Sequence, residues 1–205
     1  MRPHRLSLPV KLTLTVSLIL AAASLAGLGA YATFTSTANV SQSVSSGTVT
    51  IALGSTGAST NRLNISATNI VPGDTMQRSV DVTNSGGEDF ASITLTTTAT
   101  TSSALDTDAT NGLQMAIDKC SAAWTEAGSS PAFTYTCGGS TSTVLASRAV
   151  IGASISLSNL TLTSGSTNHL RVTLTFPSSA GNTLQNLSST IQYAFTGTQR
   201  AATDH

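Results

Sequence analysis

Residues 170–176 read LRVTLTF, so that four apolar side chains alternate with Arg and Thr. Successive side chains of a β-strand point to opposite faces of its sheet, and this alternation therefore predicts a strand with one buried face. The same period of two predicts eight or nine short strands along the chain. The other sets of alternating residues are Val49, Ile51 and Leu53; Leu63, Ile65 and Ala67; Val80 and Val82; Ile93 and Leu95; Leu113, Met115 and Ile117; Ile155 and Leu157; Leu160 and Leu162; and Ile191, Tyr193 and Phe195.

The composition favours the same fold class. Ser and Thr make up 66 of the 205 residues, and only 4% are aromatic. Thr is β-branched, so it packs well on a pleated sheet and loses rotamer freedom in a helix. Turn signals such as Pro72-Gly73-Asp74 separate the strand patterns, and we expect an all-β fold, an antiparallel sandwich of the jelly-roll type. Disorder of the whole chain is the alternative for so polar a composition, but the regular apolar spacing argues against it.

The N-terminus carries the three parts of a secretory signal. A basic flank is followed by an apolar run and by an Ala-x-Ala end at Ala30 and Ala32. We expect residues 1–32 to be a signal helix that a signal peptidase removes during export, leaving one domain over 33–205 that starts at Thr33. The protein would then be secreted, with membrane contact only through the signal segment. An uncleaved membrane anchor is the alternative, because the apolar run approaches the length that spans a bilayer.

Export also determines how the two cysteines are interpreted. Outside the cytoplasm a pair of thiols is expected to oxidise, so Cys120 and Cys137 are predicted to form a structural disulfide. A metal or redox pair is the alternative, but it needs further ligands or a C-x-x-C spacing, and neither is present. We expect the disulfide to close an irregular surface loop over 118–137, with Trp124 packed beneath it.

The charge balance excludes one class of partner. Charged residues make up 9% of the chain, and the formal net charge is zero. Removal of residues 1–32 leaves six basic side chains against nine acidic ones. A surface that binds phosphates needs an excess of cations, and we therefore expect no nucleic-acid partner.

Catalytic motifs are missing from the sequence. No H-E-x-x-H or G-x-S-x-G pattern occurs, and His169 lies at the start of a strand pattern, where an ordinary strand residue is expected. Asp106 and Asp108 faintly resemble a calcium loop, but the glycine is misplaced and position 117, where a loop-closing Glu is required, is Ile. They are weak candidates for a metal site. We expect no enzymatic activity and no cofactor.

Five segments resemble the camelysin/TasA family in their order along the chain. They are Gly29–Phe34, Ser46–Ile51, Leu63–Asp74 with its Pro-Gly-Asp turn, Val82–Gly86 and the closing Ile191–Gln199. The resemblance implies a secreted bacterial jelly-roll protein that a dedicated signal peptidase processes and that associates with itself into extracellular fibres of a biofilm matrix. The cysteine pair is not part of this resemblance.

In such fibres the N-terminal segment of one subunit completes the sheet of its neighbour. Here the donor strand would be residues 33–46, with Phe34, Val40 and Val44 as anchors, because an exposed sheet edge offers unpaired backbone groups that an added strand satisfies. An ordinary first strand that pairs within its own domain is the alternative. A metalloprotease of the camelysin type and a monomeric cell-surface adhesin or binding module are the alternative functions.

Overall fold

Antiparallel strands form nearly all of the regular structure. The computed structural model describes residues 35–39, 42–43, 45–46, 49–64 and 70–201. Its strands are β1 (Thr35–Asn39), β2 (Gln42–Ser43), β3 (Ser45–Ser46), β4 (Val49–Leu53), β5 (Thr75–Asn84), β6 (Phe90–Thr101), β7 (Gln114–Cys120), β8 (Trp124–Ser129), β9 (Ala132–Cys137), β10 (Thr141–Ala149), β11 (Gly152–Ser156), β12 (Thr167–Thr175) and β13 (Thr190–Gln199). A short helix α1 (Ala104–Thr107) and a 3₁₀ turn (Asn182–Leu184) interrupt them.

The strands form two large sheets and one hairpin. One sheet has five strands in the order β11-β6-β13-β1-β2, and the other has six in the order β10-β7-β12-β5-β4-β3. The strands β8 and β9 form a separate two-stranded sheet. All strand pairs are antiparallel, as in β12 against β5, where Leu170 faces Val80 and Val172 faces Arg78. The predicted all-β sandwich is confirmed.

The main core lies between the two large sheets. Apolar residues at alternate positions of β5, β6, β7, β12 and β13 are fully or almost fully buried, as the sequence pattern predicts. They include Val80, Val82, Ile93, Leu95, Met115, Ile117, Leu170, Val172, Tyr193 and Phe195.

Gly197 marks a place where the two sheets approach each other closely. A Cβ atom added to Gly197 would lie 2.7 Å from Cε1 of Phe90 and 3.0 Å from Cδ1 of Ile51. Phe90 is 3% exposed and Ile51 is fully buried, so neither side chain has free space into which it can retreat. Glycine at 197 therefore lets the ring of Phe90 pack directly on the backbone of β13.

The prediction of a strand at Leu160–Leu162 is wrong. This segment has no strand pairing, and the side-chain amide of Asn168 takes the place of a neighbouring strand. Its Oδ1 accepts from the main-chain N–H of Thr161 at 2.7 Å, and its Nδ2 donates to the carbonyl of Thr161 at 2.8 Å. Asn159, just before the segment, has a positive φ of 58°, which an extended strand does not allow. A strand was also predicted at Leu63, Ile65 and Ala67. Leu63 lies in a turn, and Ile65 and Ala67 lie outside the described residues.

The prediction of an irregular loop over 118–137 is wrong as well. The segment contains the end of β7 and the hairpin of β8 and β9, with Trp124 paired with Cys137 and Ser129 with Ala132. The expected burial of Trp124 is confirmed, at 9% exposure. The alternation of Phe133 and Tyr135 with Thr was the available signal, since both rings are buried on one face of β9. Strand β10 gave no such signal, because Val144 is its one buried residue.

Candidate functional site

Several predicted site residues lie outside the described residues. They are the cleavage residues Ala30, Ala32 and Thr33 and the anchors Phe34, Val40 and Val44. Cleavage after Ala32 and anchoring by these side chains therefore stay predictions. The backbone of most of the predicted donor segment is nevertheless described, in the strands β1, β2 and β3.

Strand β1 lies along the edge of the C-terminal strand β13 of the same chain. The pairing runs antiparallel from Thr35 opposite Thr198 to Asn39 opposite Ala194. It covers five residues of β13, whose other edge is paired along its length with β6. On its far side β1 is paired with the two-residue strand β2. The N-terminal segment thus caps one edge of the five-stranded sheet, while β3 lies at an edge of the other large sheet.

The predicted disulfide is confirmed: Cys120 is bonded to Cys137. It joins the end of β7 to the end of β9 and so ties the hairpin to the six-stranded sheet. Persistence of such a bond indicates an oxidising environment. Cys120, Trp124, Phe133 and Tyr135 form a second buried cluster, separate from the main core.

The hairpin covers the outer face of the six-stranded sheet through polar as well as apolar contacts. The indole N–H of Trp124 donates to the carbonyl of His169 on β12 at 3.0 Å. The guanidinium carbon of Arg171 lies over the Trp124 ring, 4.5 Å from its centroid, and Arg171 is paired with Asp118 at 2.8 Å. Cation–π contacts of this kind favour the guanidinium, which is more weakly hydrated than an ammonium group.

A second group of contacts surrounds Glu126 on β8. Its carboxylate accepts from Nε of Arg62 at 2.9 Å and from Nη2 at 2.5 Å, a bidentate pair, and from the hydroxyl of Tyr135 at 2.9 Å. The hydrogen bond from Arg62 is the main reason that the pKa of Glu126 is held below its ordinary value, against the effect of burial. The hydrogen bond to Glu126 in turn raises the pKa of Arg62. The segment that precedes β5 is thereby fastened to the hairpin.

These arginine contacts were not predicted from the sequence. Arg62 and Arg171 are isolated basic residues in polar surroundings, and nothing near them in the sequence names Glu126, Trp124 or Phe133 as a partner. Only the fold of the hairpin over β5 and β12 brings them together, because contacts between residues so far apart in the chain leave no local pattern.

The two weak metal candidates serve as local caps. Ser103 and Asp106 form a capping box at the start of α1, in which Asp106 accepts from the main-chain N–H of Ser103 at 2.7 Å. The same carboxylate accepts from the hydroxyls of Ser102 at 2.8 Å and Ser189 at 2.5 Å. Asp108 accepts from the backbone of the turn that follows α1. The geometry thus occupies both carboxylates with hydrogen-bond donors.

His169 does not assemble a zinc site with the other side chains that the structure describes. Its Nδ1 lies 2.8 Å from Oδ1 of Asp81, and both side chains are partly exposed. A catalytic zinc needs three protein ligands and an open position. Among residues 50–64 and 70–201, no three His, Cys, Asp or Glu side chains are placed to share a metal ion. This donor set does not fit the metal centre of a protease.

The chain is similar to a known protein family over nearly its whole length. A profile described as camelysin metallo-endopeptidase matches residues 7–204 of the chain. No curated protein matches the chain. Within the described part of the chain, no helix is long and apolar enough to cross a membrane.

Proposed function

The chain belongs to the camelysin metallo-endopeptidase family, and from that premise we propose that it is an exported structural subunit that assembles into extracellular fibres of a biofilm matrix. Assembly occurs by exchange of the N-terminal segment, 33–46, between neighbouring subunits. The disulfide between Cys120 and Cys137 supports export, because such bonds persist outside the reducing cytoplasm. Assembly into fibres is what the resemblance to TasA implies.

The observation that carries the proposal is the position of β1. A five-residue N-terminal strand covers the edge of the ten-residue strand β13. If β1 leaves, the main-chain N–H and C=O groups along that edge of β13 lose their partners and become a template for another strand. The segment of a second copy has the same sequence and can take the same register, which is the condition for strand exchange. Each subunit that donates its segment exposes its own β13, so the contact propagates.

The segment also suits exchange because it is not tied to one sheet. Its strands β1 and β2 belong to the five-stranded sheet, whereas β3 pairs with β4 at an edge of the six-stranded sheet. A donated segment can therefore complete one edge of each sheet in the recipient. The backbone ladder provides affinity without a specific side-chain match at every position.

The family description names a metallo-endopeptidase, and this is the competing function. The described donor set, with His169 paired to Asp81 and no third ligand, gives that activity no support in the described region. Hydrolysis of casein that a zinc chelator abolishes, in protein purified to homogeneity, would favour the protease. We expect no chelator-sensitive hydrolysis.

Cysteine cross-linking between register partners tests strand exchange. Thr37 faces Thr196 across the β1–β13 pair, and antiparallel partners lie close enough for a disulfide. Filaments grown from a mixture of T37C chains and T196C chains, then oxidised, should contain disulfide-linked dimers. The doubly substituted chain in its monomeric form should instead cross-link internally, which establishes that the geometry permits the bond.

A matched pair inside the six-stranded sheet is the control. Thr83 faces Thr167 across β5 and β12, with their hydroxyls 2.9 Å apart. A mixture of T83C chains and T167C chains should give no dimers, because these strands stay within one subunit. Filaments without dimers between T37C and T196C chains, or the lack of any filaments by electron microscopy, would overturn the proposal.

A further inference from the structure

The edge of β13 that carries β1 is only partly covered. The pairing with β1 runs from Thr198 to Ala194, whereas β13 itself extends back to Thr190. Among the strands that the structure describes, none pairs with this edge between Thr190 and Tyr193. Every second residue of an antiparallel strand directs its N–H and C=O toward one neighbour. The uncovered stretch therefore offers backbone groups to an added strand.

A cavity adjoins the uncovered stretch. It has a volume of about 740 Å³ and opens between the two large sheets. Thr190, Ile191 and Tyr193 of β13 line it on one side, and Val172 and Leu174 of β12 line it from the other sheet. An unpaired strand edge beside a pocket for alternate side chains is the arrangement by which a sheet accepts an extended peptide. The combination favours a peptide strand as the occupant over a small molecule.

The segment that follows β1 does not continue along β13. Strand β2 folds back on β1 instead, with Gln42 opposite Asn39 and Ser43 opposite Ala38. In the register of β1, each step along the segment is one step back along β13. A straight continuation would therefore place Ser43 opposite Thr190. Strands β1 and β2 with their connection thus have the length that covers the whole edge.

The connection to β4 explains why the segment turns back within one chain. Ile51 of β4 lies near Gly197, since a Cβ atom on Gly197 would be 3.0 Å from its Cδ1, and Ser45 of β3 pairs with β4 beside Ile51. Thr190 is seven residues from Gly197, or roughly 23 Å of strand. The two residues from Ser43 to Ser45 span at most about 7 Å. Ser43 therefore cannot reach Thr190 of its own chain while β3 stays on β4, but it can reach Thr190 of another subunit.

We propose that the donated segment straightens, so that residues 35–43 form one strand along the whole of β13 in the recipient, with the cavity as its side-chain pocket. This inference rests on the proposed strand exchange and specifies its register. Strand β3 keeps its pairing with β4 of its own chain, so the straight segment completes the five-stranded sheet alone. The two pairs between β1 and β2 are lost, and the four positions from Thr190 to Tyr193 gain partners. The longer ladder gives exchange a driving force over return of β1 to its own subunit.

The register also assigns a residue to the cavity. Opposite residues of an antiparallel pair lie on the same face of a sheet, and Tyr193 is buried on the core face. Val40, one of the predicted anchors, falls opposite Tyr193 in the straight segment and hence on the cavity side. Val71 and Leu187 line the same cavity and are 57% and 39% exposed. An added strand thus covers apolar surface that a lone subunit leaves in water.

Cysteine pairs distinguish the straight segment from the folded one. Filaments grown from a mixture of S43C chains and T190C chains, then oxidised, should contain disulfide-linked dimers. The doubly substituted monomer should not cross-link internally, because Ser43 lies opposite Ala38 there. The pair T37C and T196C lies six residues along the same ladder, in the same kind of antiparallel pair, and should cross-link in both states.

A disulfide that locks β2 onto β1 is the second test. Oxidised A38C/S43C chains hold Ser43 opposite Ala38, so their yield of filaments should be at least about tenfold below that of the wild type. The matched control is a lock between β5 and β12, where Thr83 lies opposite Thr167. Oxidised T83C/T167C chains should polymerise as the wild type does, because these strands are not exchanged.

Failure of this inference and failure of strand exchange give different results. Dimers between T37C and T196C chains without dimers between S43C and T190C chains would overturn the straight segment and leave exchange in place. The same result follows if another part of the chain, or a small apolar ligand, occupies the cavity. Wild-type yields of filaments from oxidised A38C/S43C chains would overturn the inference as well. If neither cysteine pair gives dimers, strand exchange itself fails, and this inference fails with it.

Discussion

The guanidinium carbon of Arg62 lies over the ring of Phe133, 4.7 Å from its centroid. The same arginine holds the carboxylate of Glu126 on the neighbouring strand of the hairpin. One side chain from the segment before β5 thus contacts both strands, β8 and β9. The hairpin is held to the sheet by this arginine, by Arg171 on Trp124 and by the disulfide.

Replacement of the aromatic ring should loosen the hairpin. Phe133 is 8% exposed in the second cluster, so Phe133→Ala should destabilise the protein by about 3 kcal/mol. Phe133→Leu keeps much of the volume of the side chain and should destabilise the protein less than Phe133→Ala. In a double-mutant cycle, Arg62→Met should have a smaller effect in the Phe133→Leu background than in the wild type. Additive effects in urea denaturation would mean that the two side chains do not interact.

The disulfide should contribute to the free energy of unfolding by an amount comparable to that of the Phe133 ring. Cys120 and Cys137 are separated by 17 positions, and closing a loop of this length stabilises by about 3 kcal/mol in the chain-entropy model. We expect the Cys120→Ala/Cys137→Ala variant to lose about that much in urea denaturation. Its amides in the hairpin should exchange faster, while those of β6 and β13 retain protection against exchange in the native state. Two free thiols in the unfolded, unreduced wild type would contradict the assignment.

A fall in pH should lower the stability of the folded protein, in part through protonation of Asp106. Burial alone would raise the pKa of this carboxyl, but hydrogen bonds from Ser189 and Ser103 outweigh it and hold the pKa below its ordinary value of 3.8. A lowered pKa means that the ionised group stabilises the fold above about pH 4, and that this contribution is lost as the pH falls through the folded-state pKa.

The variant Asp106→Asn should therefore be less stable at pH 7, by about 1–2 kcal/mol, and should lose less stability than the wild type between pH 5 and pH 2. Thermal unfolding followed by circular dichroism at each pH measures both. Glu88→Gln is the control, because the pair of Glu88 with Arg200 is largely exposed and should contribute little. Parallel acid curves for the wild type and Asp106→Asn would contradict the prediction.

A methyl group at Gly197 should be poorly tolerated. It would meet Phe90 at 2.7 Å in the core, so we expect Gly197→Ala to cost about 1–3 kcal/mol through overpacking. At Gly87 an added Cβ meets nothing within 4 Å, and Gly87→Ala should be neutral or slightly stabilising. Chemical denaturation of both variants measures the difference. Equal stabilities of the two variants would mean that the Phe90 ring can shift to accommodate the added methyl group without loss of stability.

The sequence predicted those parts of the fold in which one face of a strand is buried along its length. Residues 170–176 and 191–195 are such cases, because every second residue enters the main core. Strand β10 was not predicted because it lies at an edge of the six-stranded sheet and Val144 is its one buried residue. A cavity of about 740 Å³ whose lining includes Leu105, Val172 and Tyr193 was not predicted either, because its walls come from segments that are far apart in the sequence.

The N-terminal segment should behave as a strand that can be removed without unfolding the domain. Deletion of residues 33–46 removes β1, β2 and β3 and leaves the edge of β13 without its five-residue partner. The buried residues Val80, Leu95, Ile117 and Val172 of the main core between the two large sheets all lie outside the deleted segment. The shortened chain should therefore remain folded, with a thermal midpoint close to that of the wild type.

Without the segment the chain can accept a strand but cannot donate one, so it should fail to form filaments. In mixtures it should stop the growth of wild-type filaments by occupying an end, and electron microscopy at increasing molar ratios measures this as shorter filaments. A synthetic peptide of residues 33–46 should bind the shortened chain at one site, since it restores the ladder on β13. A peptide with the same residues in scrambled order is the control. Filaments formed by the shortened chain alone would rule out strand donation, and a chain that unfolds on deletion would identify β1 as an ordinary first strand of its own domain.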